Sequence, residues 1–135
     1  MSAVRPPEIL FLCVHNAGRS QMAAAFARSL GGDQVIVYSA GSDPEDALNE
    51  SVLLAMNEIG LDISDESPRR LTDEIGQQAD VIVTMGCGDS CPVYLGKRYL
   101  DWELEDPKGK DLATVRRIRD DIRNRVVHLI EEVLR

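Results

Sequence analysis

Apolar residues along the chain follow two patterns, continuous runs and stripes with helical spacing. Runs without polar alternation predict strands buried on both faces of a parallel sheet. These are residues 8–13, 35–38 and 79–84, with residues 98–102 as a short fourth strand. Apolar residues three or four positions apart predict amphipathic helices. These stretches are residues 19–30, 47–59 and 111–134. Residues 39–41, Ser-Ala-Gly, predict a turn after the second strand.

The predicted strands and helices alternate along the chain. This order predicts an α/β fold, a small four-stranded parallel sheet with helices on both faces, because parallel strands are joined by right-handed crossovers. The sequence shows neither a linker nor an internal repeat, so we expect residues 1–135 to form one domain. Ligands of such sheets bind beyond the carboxyl ends of the strands. The loops after Cys13, Thr84 and Trp102 are therefore the candidate sites.

The composition narrows the possible partners. The 135 residues include 15 Lys and Arg against 23 Asp and Glu, a net charge of −8. Such an acidic chain repels polyanions, so we expect no nucleic acid and no membrane surface as partner. The apolar run at 9–14 is too short for a signal peptide or a membrane span. Three cysteines, an odd number, favour a reducing compartment, and we expect a cytoplasmic protein.

The loop from Cys13 to Ser20 carries the strongest chemical signal, a Cys followed five residues later by Arg between a strand and a helix. Loop amides and a helix N-terminus can converge on an oxyanion, and Arg19 adds a bidentate donor. Their positive field favours the Cys13 thiolate, to which Ser20 can donate a hydrogen bond. Alternatively, Cys13 is an inert buried cysteine and Arg19 an exposed residue. The predicted anion-binding residues are Val14, His15, Asn16, Ala17, Gly18, Arg19 and Ser20.

Two further cysteines, Cys87 and Cys91, follow the third predicted strand. They could be zinc ligands, although a C-x3-C pair without a second Cys/His pair nearby is a poor zinc pattern. They could also be inert, or they could act as redox partners of Cys13. Their spacing alone leaves these three interpretations open.

Four segments together resemble the arsenate reductases built on the low-molecular-weight protein tyrosine phosphatase fold. They are Cys13-Val-His-Asn-Ala-Gly-Arg-Ser-Gln-Met-Ala23, Tyr38-Ser-Ala-Gly41, Val83-Thr-Met-Gly-Cys87 and Trp102-Glu-Leu-Glu-Asp-Pro107. Residues 85–92 and 96–99 are similar to the actinobacterial branch of this family, whose members take electrons from thioredoxin or from mycothiol. The resemblance covers essentially the whole chain. It implies reduction of arsenate to arsenite, with phosphate or sulfate as substrate analogues.

The resemblance also implies roles for single residues. Asp106, in an Asp-Pro pair, corresponds to the general acid that protonates the departing oxygen. Cys87 matches the thiol that resolves an oxidised Cys13, and Cys91 could close a Cys87–Cys91 disulfide for an external reductase, thioredoxin or mycoredoxin. The implied catalytic residues are Cys13, Arg19, Ser20, Asp106, Cys87 and Cys91. We expect no bound cofactor and no metal, since Ala24 stands where some members carry a potassium-binding Glu.

Departures from the family keep other hypotheses open. Thioredoxin-coupled members usually space the two later cysteines more widely, so a small thiol could instead attack the adduct between Cys13 and arsenic. A tyrosine phosphatase would share Cys13, Arg19 and Asp106 and pass through a phosphocysteine. Against it, residues 108–109 are Lys-Gly where those phosphatases commonly carry tyrosines, and residues 17–18 are Ala-Gly where they often have a second cysteine. A third hypothesis is a non-catalytic oxyanion or arsenite sensor. The presence of Cys13, Arg19 and Asp106 together, without a recognisable DNA-binding element in the sequence, argues against it.

Overall fold

The computed structural model of the chain describes residues 5–86 and 92–135. Its four strands form one parallel sheet in the order β2-β1-β3-β4. The strands are β1 (Glu8–Cys13), β2 (Ile36–Gly41), β3 (Val81–Thr84) and β4 (Arg98–Asp101). The register pairs Cys13 with Gly41 and Thr84 with Asp101, so the carboxyl ends of all four strands lie along one edge. The predicted four-stranded parallel α/β fold is confirmed.

The helices cover the two faces of the sheet unequally. They are α1 (Arg19–Gly31), α2 (Glu50–Asn57), α3 (Asp73–Gln78) and α4 (Leu112–Val133). Side chains alternate along a strand, and Phe11 and Cys13 accordingly join the larger core, together with residues of α1, α2 and α4. Leu10 and Leu12 point to the opposite face, where a smaller cluster includes Ile75 of α3. The nucleophile candidate thus belongs to the face covered by three helices.

The structure corrects several predicted boundaries. The predicted turn at 39–41 is the end of β2, because these residues pair with β1 and Gly41 also forms a bridge to Arg70. Helix α2 begins later than predicted, since the Asn49 side chain accepts a hydrogen bond from the backbone of Ser51 and caps it. Helix α3 was not predicted. Its six residues contain one apolar side chain, Ile75, too few to produce a helical stripe.

One arginine of the amphipathic helix α4 is buried. Arg119 is 8% exposed. Its guanidinium donates to the carbonyl of Ala55 and to the Glu58 carboxylate, 2.8 and 3.0 Å away. Arg116 binds the same carboxylate from the exposed side. These contacts hold α4 against α2, the helix that lies beside the candidate site. Within the part of the chain that the structure describes, none of the helices combines the length and the apolar character that crossing a membrane requires.

Candidate active site

Cys13 is the last residue of β1, and its sulfur receives two hydrogen-bonding groups. Ser20 Oγ lies 2.8 Å from Cys13 Sγ, and the backbone N–H of Asn16 points at the same sulfur from 3.3 Å. The thiol is 2% exposed. Both contacts suit a sulfur that carries negative charge, because an N–H and an O–H can donate to a thiolate.

Asn16 donates a side-chain hydrogen bond to the Ser20 hydroxyl. The Asn16 oxygen Oδ1 accepts from the backbone N–H of Arg69 at 2.8 Å, and a backbone N–H can only donate. The amide nitrogen Nδ2 therefore faces Ser20 Oγ, to which it donates at 2.6 Å. Since that oxygen accepts from Asn16, the single hydroxyl hydrogen is free to point at Cys13 Sγ.

Asn16 itself has an uncommon backbone conformation, with φ +51°. Asparagine tolerates this left-handed region better than most residues. The buried Gln21 supports it, because Gln21 Nε2 donates to the Asn16 carbonyl at 3.1 Å and to Asn16 Oδ1 at 3.0 Å. The anion-binding role that the sequence indicated for Asn16 stays a prediction, and its contacts also hold the loop and Ser20 in place.

Arg19 begins α1 and is 8% exposed. One guanidinium nitrogen, Nη2, lies 3.7 Å from Asp106 Oδ2, and Nη1 donates to the Leu104 carbonyl at 3.4 Å. These contacts tie the arginine to the loop after β4. The guanidinium therefore stands between the two segments in which the sequence predicted the nucleophile and the acid.

Gly86, which sequence reasoning missed, provides the space for Arg19. A Cβ atom on Gly86 would lie 2.5 Å from Arg19 Nη1, and the glycine has φ +82°. Both facts favour glycine over any other residue there. The available signal was its position, two residues after β3 at the carboxyl edge of the sheet.

Asp106 is half exposed, and its carboxylate is held from two sides. Oδ1 accepts from the backbone N–H of Lys108 at 3.0 Å, while Oδ2 faces Arg19. The adjacent Pro107 packs against the first loop, where a Cβ atom on Gly18 would lie only 2.9 Å from Pro107 Cγ. The glycine thus permits the close approach of the two loops.

These segments enclose a pocket of about 220 Å³. The residues that line it are Cys13, His15, Ala17, Gly18, Arg19, Glu45, Ala47, Leu48, Asn49, Asp106, Pro107 and Lys108. The predicted residues Cys13, Arg19 and Asp106 therefore come together in one cavity. Ser20 and Asn16 are buried behind it, and Val14 accepts from the backbone N–H of Asp43 at 2.8 Å. The lining residues from the loop after β2 and Lys108 were not predicted as site residues.

The predicted redox residues Cys87 and Cys91 lie outside the described residues. The preceding residue, Gly86, contacts Arg19 as described above. Within residues 5–86 and 92–135, no three His, Cys, Asp or Glu side chains are grouped closely enough to bind a metal ion. The expectation that the protein binds no metal stays a prediction.

A buried thiol at a strand end, loop amides, a helix N-terminus and a buried arginine are typical of α/β proteins that bind a tetrahedral oxyanion. Residues 8–135 match the profile described as low molecular weight phosphotyrosine protein phosphatase, and the chain belongs to this family. The family resemblance stated from the sequence is therefore confirmed.

Several relatives carry arsenate reductase names. A Halobacterium salinarum protein with the provisional name of arsenate reductase is 40% identical, over 98% of this chain and 96% of its own. The glutaredoxin arsenate reductase of a Synechocystis species is 32% identical, over 93% of this chain and 98% of its own.

A solved structure shares the fold. The thioredoxin-dependent arsenate reductase of Corynebacterium glutamicum superposes with a TM-score of 0.86 and 44% identity, over 98% of this chain. This chain covers 64% of that protein's chain, less than two thirds of its length.

Proposed function

We propose that the protein is an arsenate reductase that uses Cys13 as nucleophile and takes electrons from an external thiol. The observation that carries this proposal is the pocket itself, in which Cys13, Arg19 and Asp106 line one cavity. Relatives named arsenate reductase, at 32 to 44% identity, support the choice of substrate.

Arsenate would enter as a tetrahedral anion. The backbone amides of the loop from Val14 to Ser20 and the N-terminus of α1 supply donors, and the Arg19 guanidinium offers two parallel hydrogen bonds. Residues 1–30 contain three arginines and one glutamate, so the segment that would bind the anion is locally positive within an acidic chain. Phosphate and sulfate share the tetrahedral shape and should compete for the same place.

In the first chemical step, the Cys13 thiolate attacks arsenic and a bond from arsenic to oxygen breaks. Ser20 donates to the thiolate before the attack, and Asp106 donates its proton to the departing oxygen, which leaves as water. The product is a covalent adduct in which arsenic is still pentavalent.

The second step transfers two electrons. A second thiolate attacks Cys13 Sγ and forms a disulfide, while the electron pair of the bond between sulfur and arsenic stays with arsenic, which departs as arsenite. We assign this thiol to Cys87. Cys91 would then attack Cys87, release the Cys13 thiolate and leave a Cys87–Cys91 disulfide.

An external dithiol would reduce that disulfide and become oxidised in turn. Thioredoxin is one candidate, since a relative is named thioredoxin-dependent. Mycothiol with mycoredoxin offers another route, in which the small thiol replaces Cys87. It attacks Cys13 Sγ and forms a mixed disulfide, arsenite departs with the electron pair of the bond between sulfur and arsenic, and mycoredoxin reduces the mixed disulfide to release the Cys13 thiolate. Either route requires reduced thiols, so we place the reaction in the cytoplasm. The protein itself would need no bound cofactor.

A phosphatase is the second candidate function, because the chain belongs to a family described as a phosphotyrosine protein phosphatase. It would use Cys13, Arg19 and Asp106 in the same positions and would hydrolyse a phosphocysteine with water. The two functions differ in the fate of the Cys13 adduct, which a thiol attacks in the reductase and water attacks in the phosphatase.

Coupled assays test the proposal. Purified protein is mixed with arsenate, NADPH and either thioredoxin with its reductase or mycothiol with mycoredoxin and its reductase. We expect arsenate-dependent NADPH oxidation in one of the two systems and its loss in Cys13→Ser. Full thioredoxin-coupled turnover in Cys91→Ser would exclude the Cys87–Cys91 disulfide. Rapid hydrolysis of an aryl phosphate, with NADPH oxidation in neither system, would establish the phosphatase instead.

A further inference from the structure

Glu45 and Lys108 form an ion pair at the pocket, with Lys108 Nζ 2.8 Å from Glu45 Oε1. The two residues lie in loops that follow strands at opposite edges of the sheet. Glu45 follows β2 and Lys108 follows β4, and these are the two edge strands. The ion pair therefore joins the two sides of the pocket, with the loop after Cys13 between them.

The backbone of each partner is tied to the site. The N–H of Glu45 donates to the carbonyl of His15 at 3.0 Å, within the predicted anion-binding loop. The N–H of Lys108 donates to Asp106 Oδ1 at 3.0 Å. The ion pair thus links two loops whose backbones are anchored at the site.

Both partners are charged at neutral pH. The hydrogen bond from Lys108 lowers the pKa of Glu45, and the same bond raises the pKa of Lys108. The two directions agree. His15 Nδ1 lies 3.8 Å from Glu45 Oε1 and 3.1 Å from the Asp43 carbonyl.

We propose that the Glu45–Lys108 ion pair is a specificity determinant that favours a free tetrahedral oxyanion over a phosphate ester with a bulky group. The inference rests on the function proposed above. A free oxyanion has no substituent on its oxygens. An ester carries an aryl group on one oxygen, and this group must extend from the pocket between its two sides. The ester would have to displace the ion pair. Breaking an exposed ion pair costs about two- to fivefold in affinity.

Ligand binding to Cys13→Ser protein tests this without turnover. Dissociation constants of inorganic phosphate and of phenyl phosphate are measured by calorimetry, at a pH where both are dianions. Lys108→Met removes a positive charge and should weaken both ligands, whereas Glu45→Gln removes a negative charge and should strengthen both. Within each variant this charge effect is the same for both dianions, so it cancels in the ratio of the two dissociation constants.

The ratio is therefore the decisive quantity. We expect Lys108→Met and Glu45→Gln each to shift it towards phenyl phosphate by about two- to fivefold, the effect of one exposed ion pair. The charge-reversed double variant Glu45→Lys/Lys108→Glu should return the ratio towards that of the parent. An unchanged ratio in both single variants, or shifts in opposite directions, would overturn the proposal.

The same loop offers a matched control. Lys110 Nζ lies 3.7 Å from Glu105 Oε2, and neither residue lines the pocket. Lys110→Met and Glu105→Gln should leave the ratio unchanged.

Arsenate reduction by the unmodified protein is measured separately, so the two proposals can fail independently. If the protein binds phosphate but does not reduce arsenate, the proposed function is wrong. The ratio of the two dissociation constants then still tests the role of the ion pair. A Cys13→Ser protein that binds neither ligand overturns the specificity role.

Discussion

The side chain of Asn16 donates to Ser20 Oγ at 2.6 Å, and this bond leaves the Ser20 hydroxyl hydrogen free to point at Cys13. The orientation of the Asn16 amide follows from Arg69, whose backbone N–H donates to Asn16 Oδ1 and leaves Nδ2 for the serine. A backbone amide in a distant segment thus orients the side chain that donates to Ser20. The reactivity of Cys13 should depend on this chain of donors.

Ser20→Ala should slow the reactions of the Cys13 thiolate. Hydrogen bonds to charged groups contribute about 1.5–3 kcal/mol, which corresponds to about a 10- to 150-fold loss in rate. The measurement is the rate of Cys13 alkylation by iodoacetamide, in a Cys87→Ser/Cys91→Ser background so that one thiol reacts. Ser29→Ala, an exposed serine of the same helix, serves as the control. Equal alkylation rates in the two variants would contradict the role of Ser20.

Gly86→Ala should weaken binding of inorganic phosphate, because the added methyl group would lie 2.5 Å from Arg19 Nη1 and displace the guanidinium. Gly96→Ala is a closely matched control. Gly96 has φ +81° against +82° for Gly86, but a Cβ atom there meets nothing within 4 Å. Both variants should lose similar stability from the left-handed backbone, about 1–2 kcal/mol. Weaker phosphate binding, measured by calorimetry, should appear in Gly86→Ala alone, and equal affinities would show that Gly86 does not position Arg19.

Local sequence was sufficient to predict that the groups of the loop from Cys13 to Ser20 lie together. Strand β1 was predicted with its observed bounds, because its six residues are all buried and read as one apolar run. The segment from Cys13 to Ser20 is continuous, so a single stretch of sequence contains the thiol, the arginine and the loop amides. Short-range spacing was enough to place these groups together.

Groups that meet only through the fold could not be predicted in this way. Gly86 contacts Arg19, and Glu45 contacts Lys108, from segments far apart in sequence. Their positions depend on the register of parallel strands, which the apolar runs do not specify. Helix α3 was not predicted for a different reason. It is short, and it begins after Thr72, whose side chain caps it. Asp106 was assigned through the family resemblance, because an Asp-Pro turn on an acidic chain has no distinctive local pattern.

Glu58→Gln should destabilise the protein at neutral pH and much less in acid. The hydrogen bond from Arg116 lowers the pKa of Glu58, and Arg119 acts in the same direction. A carboxylate with a lowered pKa in the folded state contributes stability above its unfolded pKa, and that contribution is lost as the pH falls through the folded pKa. Urea unfolding at neutral and acidic pH measures the difference between parent and variant. Glu131→Gln, an exposed residue of α4, is the control, and a difference that does not shrink in acid would contradict the linkage.

Asp106→Asn should separate binding from catalysis. Loss of the acid removes a contribution of about 10²–10⁴ to kcat, in the coupled arsenate assay or with an aryl phosphate. The affinity for the anion should not fall, because the Asp106 carboxylate lies 3.7 Å from Arg19 Nη2 and competes with the ligand for the guanidinium. Phosphate affinity should therefore be retained or increased while kcat falls. The neighbouring variant Glu105→Gln controls for loss of one negative charge in the same loop. Equal kcat values in Asp106→Asn and Glu105→Gln would assign the proton donor elsewhere, whereas a parallel loss of affinity and kcat would mean that Asp106 maintains the shape of the site.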